Sequence, residues 1–397
     1  SYKNTGKIDY VAGWYMKSAL MMQANPKVRA ALVSTNSITQ GEQVANIWKP
    51  LVERFGLHID FAWRTFRWDS ESTGKAQVHC VIIGFSIGER KRKPVIFEGE
   101  SLIEAKHING YLIDMEDVWI ESNKKQISGA QKMCKGSQPT GNLFVTLEER
   151  SELIASYPDI LPYVRKFLGA TEFINGQERY CLWLKEANPS VVRKCPIIQK
   201  RIEEVRNERL KSAKASTRKW AESPTLFTED RQPDADYILV PRHSSEKRVY
   251  IPMGFISKDV ICGDANLLIP NATTYDFGIL TSNLHMAWMR VVCGRIKSDY
   301  RYSADIVYNN FPWPKSTEDQ KQKISVLAQK VLDARTSHPE WSLADLYHPD
   351  FMPQDLRRAH KELDKAVLRL YGLKPELDEA DIVRHLLGLY KQYLKDV

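Results

Sequence analysis

The chain has 397 residues, 43% of them hydrophobic and 27% charged, and a net charge of +8. That is the composition of an ordinary soluble protein, long enough for two or three domains; the basic balance favours a polyanionic partner. No apolar run approaches the roughly 20 residues of a bilayer span, the N-terminus Ser-Tyr-Lys-Asn-Thr-Gly lacks a signal-peptide core, and the six cysteines form no Cys-x-x-Cys pair. These features point away from membranes, disulfide frameworks and zinc knuckles, and toward idle thiols in a reducing cytoplasm.

In chain order, residues 8–22 read as a helix stopped by Asn25-Pro26 and followed by a strand at Ala30–Thr35. A second helix spans about Gln40–Phe55, because Val44, Ile47, Trp48, Leu51, Val52 and Phe55 recur at helical spacing. The apolar runs Phe61–Trp68 and Gln77–Phe85 flank a polar turn with Asp69, Ser70, Glu71, Ser72 and Gly74, the pattern of an antiparallel hairpin. Strict alternation puts Phe61 and Trp63 on one face and Phe66 and Trp68 on the other. The basic Glu89–Pro94 stretch marks a turn or domain edge. Short strand-like pieces then alternate with loops to Trp183, and Ser122–Asn142 reads as an exposed loop.

A single helix is expected from about Ser190 to Trp220. Between Arg193 and Lys219 it carries ten Lys or Arg against three acidic residues, an imbalance that favours phosphate contact over a merely solvated face. Three strands follow at Tyr237–Pro241, Arg248–Pro252 and Asn266–Pro270, where β-branched residues are bounded by Pro, Gly and Asp. A helix is read over Phe277–Val292, and from Ser316 onward the chain is helical.

Several strings resemble a known family. Asp9-Tyr-Val-Ala-Gly-Trp-Tyr15, Val33-Ser-Thr-Asn-Ser-Ile-Thr-Gln-Gly-Glu-Gln-Val44, Thr65-Phe-Arg-Trp-Asp69, Glu172-Phe-Ile-Asn-Gly176, Ser244–Pro252, Gly278–Ser282 and Asn309–Pro314 are similar to those of MmeI-like proteins, bacterial DNA adenine methyltransferases of restriction-modification systems. The resemblance implies an α/β fold. Residues 1–95 would be the rear of a class I, Rossmann-like methyltransferase sheet, residues 96–314 an α+β target-recognition domain, and residues 315–397 a helical C-terminal region. It also implies a parent enzyme that uses S-adenosylmethionine, flips an adenine out of double-stranded DNA and methylates its N6.

The family's Asn-Pro-Pro-Phe tetrad occurs nowhere here, and no Gly-rich strand-to-helix turn is present. No catalytic residue is therefore assigned within this chain. The tetrad is expected upstream of Ser1, and the isolated chain is expected neither to bind the cofactor nor to methylate. An exposed sheet edge is expected to drive self-association. The alternative reading is a non-catalytic DNA-binding specificity module that works with a separate catalytic chain.

Candidate site residues follow. Trp68, or Phe66 beside it, would stack on the flipped base, the competing role being simple sheet packing. Asn36 would line the cleft beyond the carboxyl end of its strand, while Ser37 or Thr39 would cap the next helix. Glu246 and Arg248, two apart on an extended segment, would share a face and read a base pair, or else form a surface ion pair. Arg193, Lys200, Arg201, Lys211, Lys214, Arg218 and Arg295 would contact phosphates. No metal-ligand spacing is present.

Overall fold

The computed structural model describes Gly6 and residues 8–69, 77–90 and 92–395. Its first unit is a five-stranded sheet of β1 (Ala30–Thr35), β2 (His58–Asp69), β3 (Gln77–Ser86), β4 (Val95–Glu98) and β5 (Ser101–Glu104), in the order β1-β3-β2-β4-β5. β3 pairs antiparallel with both β1 and β2, so β1 and β2 run parallel with the reversed strand between them. The expected turn at Ser70–Gly74 lies outside the described residues. The sheet continues through β4 and β5, past the basic stretch where an edge was read.

Helices α1 (Ala12–Ala24) and α2 (Gly41–Phe55) cover one face. The periodic stripe of α2 buries Val44, Ile47, Trp48, Leu51 and Phe55. Tyr15 of α1 stacks on Phe85 at 5.1 Å and meets Trp48 edge-on at 5.4 Å. Val81, Ile83 and Phe85 of β3 point into this core.

The opposite face corrects the alternation argument. β2 carries register shifts between Ile59 and Phe61 and between Trp63 and Phe66. Phe61, Trp63, Phe66 and Trp68 consequently sit opposite Gly84, Ile82, Cys80 and Val78, which all share one side of β3. All four aromatics thus lie on one face, because an extra bulge residue reverses the parity of everything beyond it. Trp63 stacks on Phe97 at 5.2 Å, and Gly84 leaves room for the Phe61 ring, which a Cβ would strike at 2.0 Å. Val33, Trp63, Trp68, Val78 and Leu102 remain exposed on this side.

The middle of the chain holds β6 (Cys134–Lys135), β7 (Phe144–Val145), β8 (Val164–Leu168), β9 (Tyr180–Leu182), β10 (Tyr237–Pro241), β11 (His243–Ser244), β12 (Gly254–Ile256), β13 (Ile261–Cys262), β14 (Asn266–Pro270), β15 (Gly294–Ile296) and β16 (Asp299–Arg301). They form sheets ordered β12-β10-β14-β6, β13-β8-β9-β7 and β11-β16-β15. Helices α3 (Leu147–Ser156) and α4 (Ala170–Asn175) were not anticipated. Ser122–Asn142 is mostly irregular, yet it is fastened down: Asn123 Nδ2 donates to Asn310 Oδ1 at 2.7 Å and Ser128 Oγ to the Phe311 carbonyl at 3.2 Å.

Three element expectations fail for local reasons. The long basic helix is broken into α5 (Pro189–Lys194), α6 (Pro196–Leu210) and α7 (Ala215–Lys219): Pro196 lacks an N–H and holds Cys195 extended at the first break, and Lys214 is extended at the second. The Phe277–Val292 helix is two, α8 (Thr274–Leu280) and α9 (Asn283–Val292), since extended Ser282 accepts from the His285 N–H and starts a new helix. Arg248–Pro252 is not a strand, its partners being side chains rather than a ladder.

The C-terminal unit comprises α10 (Glu318–Thr336), α11 (Leu343–Leu346), α12 (Gln354–Leu370) and α13 (Glu379–Lys395). Thr317 and Gln320 form the capping box of α10, which packs on α8 and α12, while α13 packs on α9. One hydrophobic core runs from Tyr15 through Trp288 and Phe311 to Tyr390, so all three regions share it. Among the described residues no helix is long and apolar enough to cross a membrane.

Candidate functional site

At the carboxyl end of β1 the chain turns through a short 3₁₀ segment, Asn36–Thr39, and enters α2. Thr39 Oγ1 donates back to the Asn36 carbonyl at 2.8 Å, and Ser37 Oγ donates to an Asp9 carboxylate oxygen. Neither caps α2: Gln40 holds the cap position and no side chain bonds there. The capping expectation is thereby corrected, the hydroxyls being engaged with the turn itself and with residue 9. Tyr15 Oη meets Ser34 Oγ at 3.0 Å, so the strings around Asp9 and Ser34 come together in space. Asn36 is left buried, its amide donating to Thr65 Oγ1 at 3.4 Å.

Facing this end of the sheet is the β15–β16 hairpin, whose two-residue loop places Lys297 at φ 57°. β16 also pairs with β11, and the chain then turns through Ser245–Arg248, closed by the Arg248 N–H to the Ser245 carbonyl at 3.2 Å. Asp299 Oδ1 accepts from the Glu246 N–H at 3.2 Å. Glu246 and Arg248 are therefore on a turn and not on an extended segment, and the shared-face argument for them falls.

Between sheet and hairpin lies a cleft of about 360 Å³, walled by Asn36, Thr65 and His79 on one side and by Glu246, Lys247, Arg295, Ser298 and Tyr300 on the other. Three of the residues singled out from sequence, Asn36, Glu246 and Arg295, meet here although they lie far apart in the chain. A second groove of about 570 Å³ shares Thr65 and Arg295 and extends past Arg64 and Arg290.

The cleft's second wall is cationic. The Arg295 guanidinium lies 4.4 Å from the Tyr300 ring and 3.8 Å from Glu246, and donates to the Ser298 carbonyl at 2.8 Å. Burial, followed by the charges of Arg242 and Arg301, pulls the His243 pKa down, so this ring is neutral near pH 7. Burial likewise lowers the Arg248 pKa, opposed by nearby Asp299.

Other candidates lie elsewhere. Trp68 is half exposed with its ring 6.2 Å from Phe66, and neither lines the cleft. Arg193, Lys200, Lys211, Lys214 and Arg218 are exposed along α5–α7, but Arg218 donates to the Ser212 and Ala213 carbonyls. Arg201 is bound to Glu149 and the Phe144 carbonyl, which occupies its guanidinium internally. Arg209 is almost wholly buried, its guanidinium donating to the carbonyls of Pro139, Thr140, Trp220, Ser223 and Leu226 at 2.7–2.9 Å. That basic residue is structural.

Sequence reasoning missed Thr65, His79, Lys247, Ser298 and Tyr300. The Arg295–Tyr300 spacing around a two-residue loop was the only local signal. Six free cysteines, five of them buried, and no cluster of three metal-binding side chains among the described residues complete the inventory.

Comparison with known proteins matches three family descriptions in series: MmeI, DNA-methyltransferase domain over residues 1–98; MmeI, target recognition domain over residues 114–315; and MmeI, C-terminal domain over residues 316–397. A protein described as DNA methyltransferase A from Bacillus subtilis (strain 168) is 39% identical over 393 residues, covering 98% of this chain and 44% of its own. The structure of the Type IIL restriction-modification enzyme MmeI in complex with DNA superposes with a TM-score of 0.92 at 43% identity, over 100% of this chain and 54% of that one. The chain thus spans about half the length of these relatives.

Proposed function

The chain belongs to the MmeI family of DNA methyltransferases, and on that premise we propose that it supplies target recognition and the rear of the catalytic domain to a site-specific adenine-N6 DNA methyltransferase of a restriction-modification system. The observation that carries this reading is the cleft in which Asn36, from the end of β1, faces Glu246 and Arg295 from the middle region. A duplex laid along it would meet a sheet terminus on one side and cationic, base-reading side chains on the other.

The methyl donor implied by the family is S-adenosylmethionine, which when bound supplies the methyl group. The turn after β1, Asn-Ser-Ile-Thr, holds no glycine; Gly41, left-handed at φ 54°, opens α2 just beyond it but packs against the Gly294 backbone, and no Asn-Pro-Pro-Phe tetrad occurs in these 397 residues. The residues present do not fit that cofactor, and no step is assigned through it. This chain's own contribution is to hold DNA and the displaced base. Asn36 and Thr65 line the space the base enters. Trp68, with Phe66 beside it, lies outside the cleft lining and is proposed as the stacking face at the end of β2 for a base swung beyond that lining, a contact worth about 1–3 kcal/mol. Glu246 in the cleft wall and Arg248, on the same turn but outside the cleft lining, are proposed to read one base pair from that turn rather than from a shared strand face, and the exposed Lys200, Lys211 and Lys214 to follow phosphates.

The test is methylation by the full-length protein, with the modified nucleoside identified by mass spectrometry. N6-methyladenine confined to one sequence context is expected, whereas methylcytosine or dispersed modification would overturn the reading. Exposed Val33, Trp63 and Leu102 support a further part of the proposal, that the 397-residue chain alone self-associates. Sedimentation velocity showing only monomer across a wide concentration range would refute it.

A further inference from the structure

The segment that follows the Ser245–Arg248 turn has the composition of a strand and none of a strand's partners. Val249–Met253 is instead fastened residue by residue to helices. Arg290 Nη2 of α9 donates to the Val249 carbonyl at 2.7 Å, and the Tyr250 hydroxyl donates to Asp364 Oδ2 of α12 at 2.6 Å. The Ile251 N–H points to Met286 Sδ at 3.3 Å, and Arg335 Nη1 of α10 donates to the Met253 carbonyl at 2.5 Å. The Tyr250 ring stacks on His360 of α12 at 4.0 Å.

Asp364 does more than hold Tyr250. Its other oxygen accepts from the Asn283 N–H at 2.7 Å, in the first turn of α9. One carboxylate therefore joins α12, the start of α9 and the loop. At its other end the turn is held by Asp299 and by the β11–β16 pairing. Arg248 stands two residues before Tyr250, a reach of only about 7 Å of extended chain, so a shift at Tyr250 is carried into the turn.

We infer that the C-terminal helices set the position of the base-reading turn, with Asp364 and its bond to the Tyr250 hydroxyl as the positioning contact. The inference rests on the proposed reading of DNA by Glu246 and Arg248. Freed at this end, the turn would pivot on β11–β16 and its side chains would lose alignment with a base edge. Phosphate contacts elsewhere would be untouched.

The experiment uses the full-length protein and maps methylated positions genome-wide for three variants. Tyr250→Phe removes only the hydroxyl and keeps the ring on His360; Asp364→Ala removes the carboxylate; Glu246→Ala with Arg248→Ala removes the reading side chains. The expected result is that Tyr250→Phe and Asp364→Ala relax the same single motif position as the double variant. Discrimination there should fall by about tenfold or more while affinity for non-specific duplex is unchanged. Should Asp364→Ala fail to fold, Tyr250→Phe decides alone. A relaxed double variant beside an unaltered Tyr250→Phe motif overturns the positioning role by itself, as does an equal loss of affinity on all sequences. An unaltered motif in the double variant overturns base reading by the turn, and this inference with it.

Discussion

Gly41 and Gly294 meet backbone to backbone: a Cβ added at Gly41 would lie 3.2 Å from both the Cα and the N of Gly294. Gly41 also has φ 54°, in the left-handed region where a side chain is strained. This contact sets how closely the start of α2 approaches β15, and so how wide the cleft beside Arg295 is. Gly41→Ala is expected to cost about 1–2 kcal/mol and to weaken DNA binding by the full-length protein. Urea denaturation and a titration with duplex measure the two effects; a wild-type midpoint with wild-type affinity would contradict them.

Burial raises the Asp364 carboxyl to about 6, against the lowering effects of the Tyr250 hydroxyl, the Asn283 N–H and Arg290. A carboxyl whose folded pKa exceeds its unfolded value of about 3.8 binds its proton more tightly when folded. Its stabilising contribution is present below pH 3.8 and is lost as pH rises through about 6, a change on the order of 3 kcal/mol. Asp364→Asn keeps both hydrogen bonds by offering an oxygen to Asn283 and an N–H to Tyr250. The difference in unfolding free energy, variant minus wild type, should therefore grow between about pH 4 and pH 6. A flat difference across that range would refute the assignment.

Arg209 and its exposed neighbours on the basic helices should behave oppositely. Arg209→Met leaves several buried carbonyls without a donor and is expected to cost at least about 3 kcal/mol, with the loss read as a lowered melting temperature. Lys211→Ala with Lys214→Ala should leave melting unchanged, weaken all duplexes alike and flatten the salt dependence of binding. A salt slope equal to wild type would remove α6–α7 from the DNA interface.

Trp68 gives a direct optical test. In the full-length protein, 2-aminopurine at the target position should lose fluorescence when it stacks on the indole. Trp68→Ala should restore that signal and weaken binding by about 1–3 kcal/mol, while Trp68→Phe should retain most of both. Unchanged fluorescence and affinity would return Trp68 to packing beside Phe66.

What was legible in the sequence was whatever local period or local covalent chemistry dictates. The stripe from Val44 to Phe55 fixed α2, because 3.6-residue spacing defines a buried face without reference to any partner. Strand-like composition marked Ala30–Thr35, Tyr237–Pro241 and Asn266–Pro270, and each of these also finds a partner strand. Pro196 was equally visible, and its missing N–H together with the extended conformation it favours at Cys195 accounts for the first break, which a count of basic residues passed over.

Tertiary structure decided the rest. The bulge in β2 depends on which β3 residue each aromatic meets, so no count along one strand reveals that Phe61, Trp63, Phe66 and Trp68 share a face. Val249–Met253 has strand composition but is held by Arg290, Met286, Arg335 and Asp364, whose geometry exists only once α9, α10 and α12 have packed. Arg209 reads as one more surface cation until Pro139, Thr140, Trp220, Ser223 and Leu226 enclose it. Asn36 and Arg295 were legible one by one as polar groups in suggestive places. Their meeting in one cleft was not, because it depends on the approach of Gly41 to Gly294, and long-range contacts carry no periodic trace in the chain.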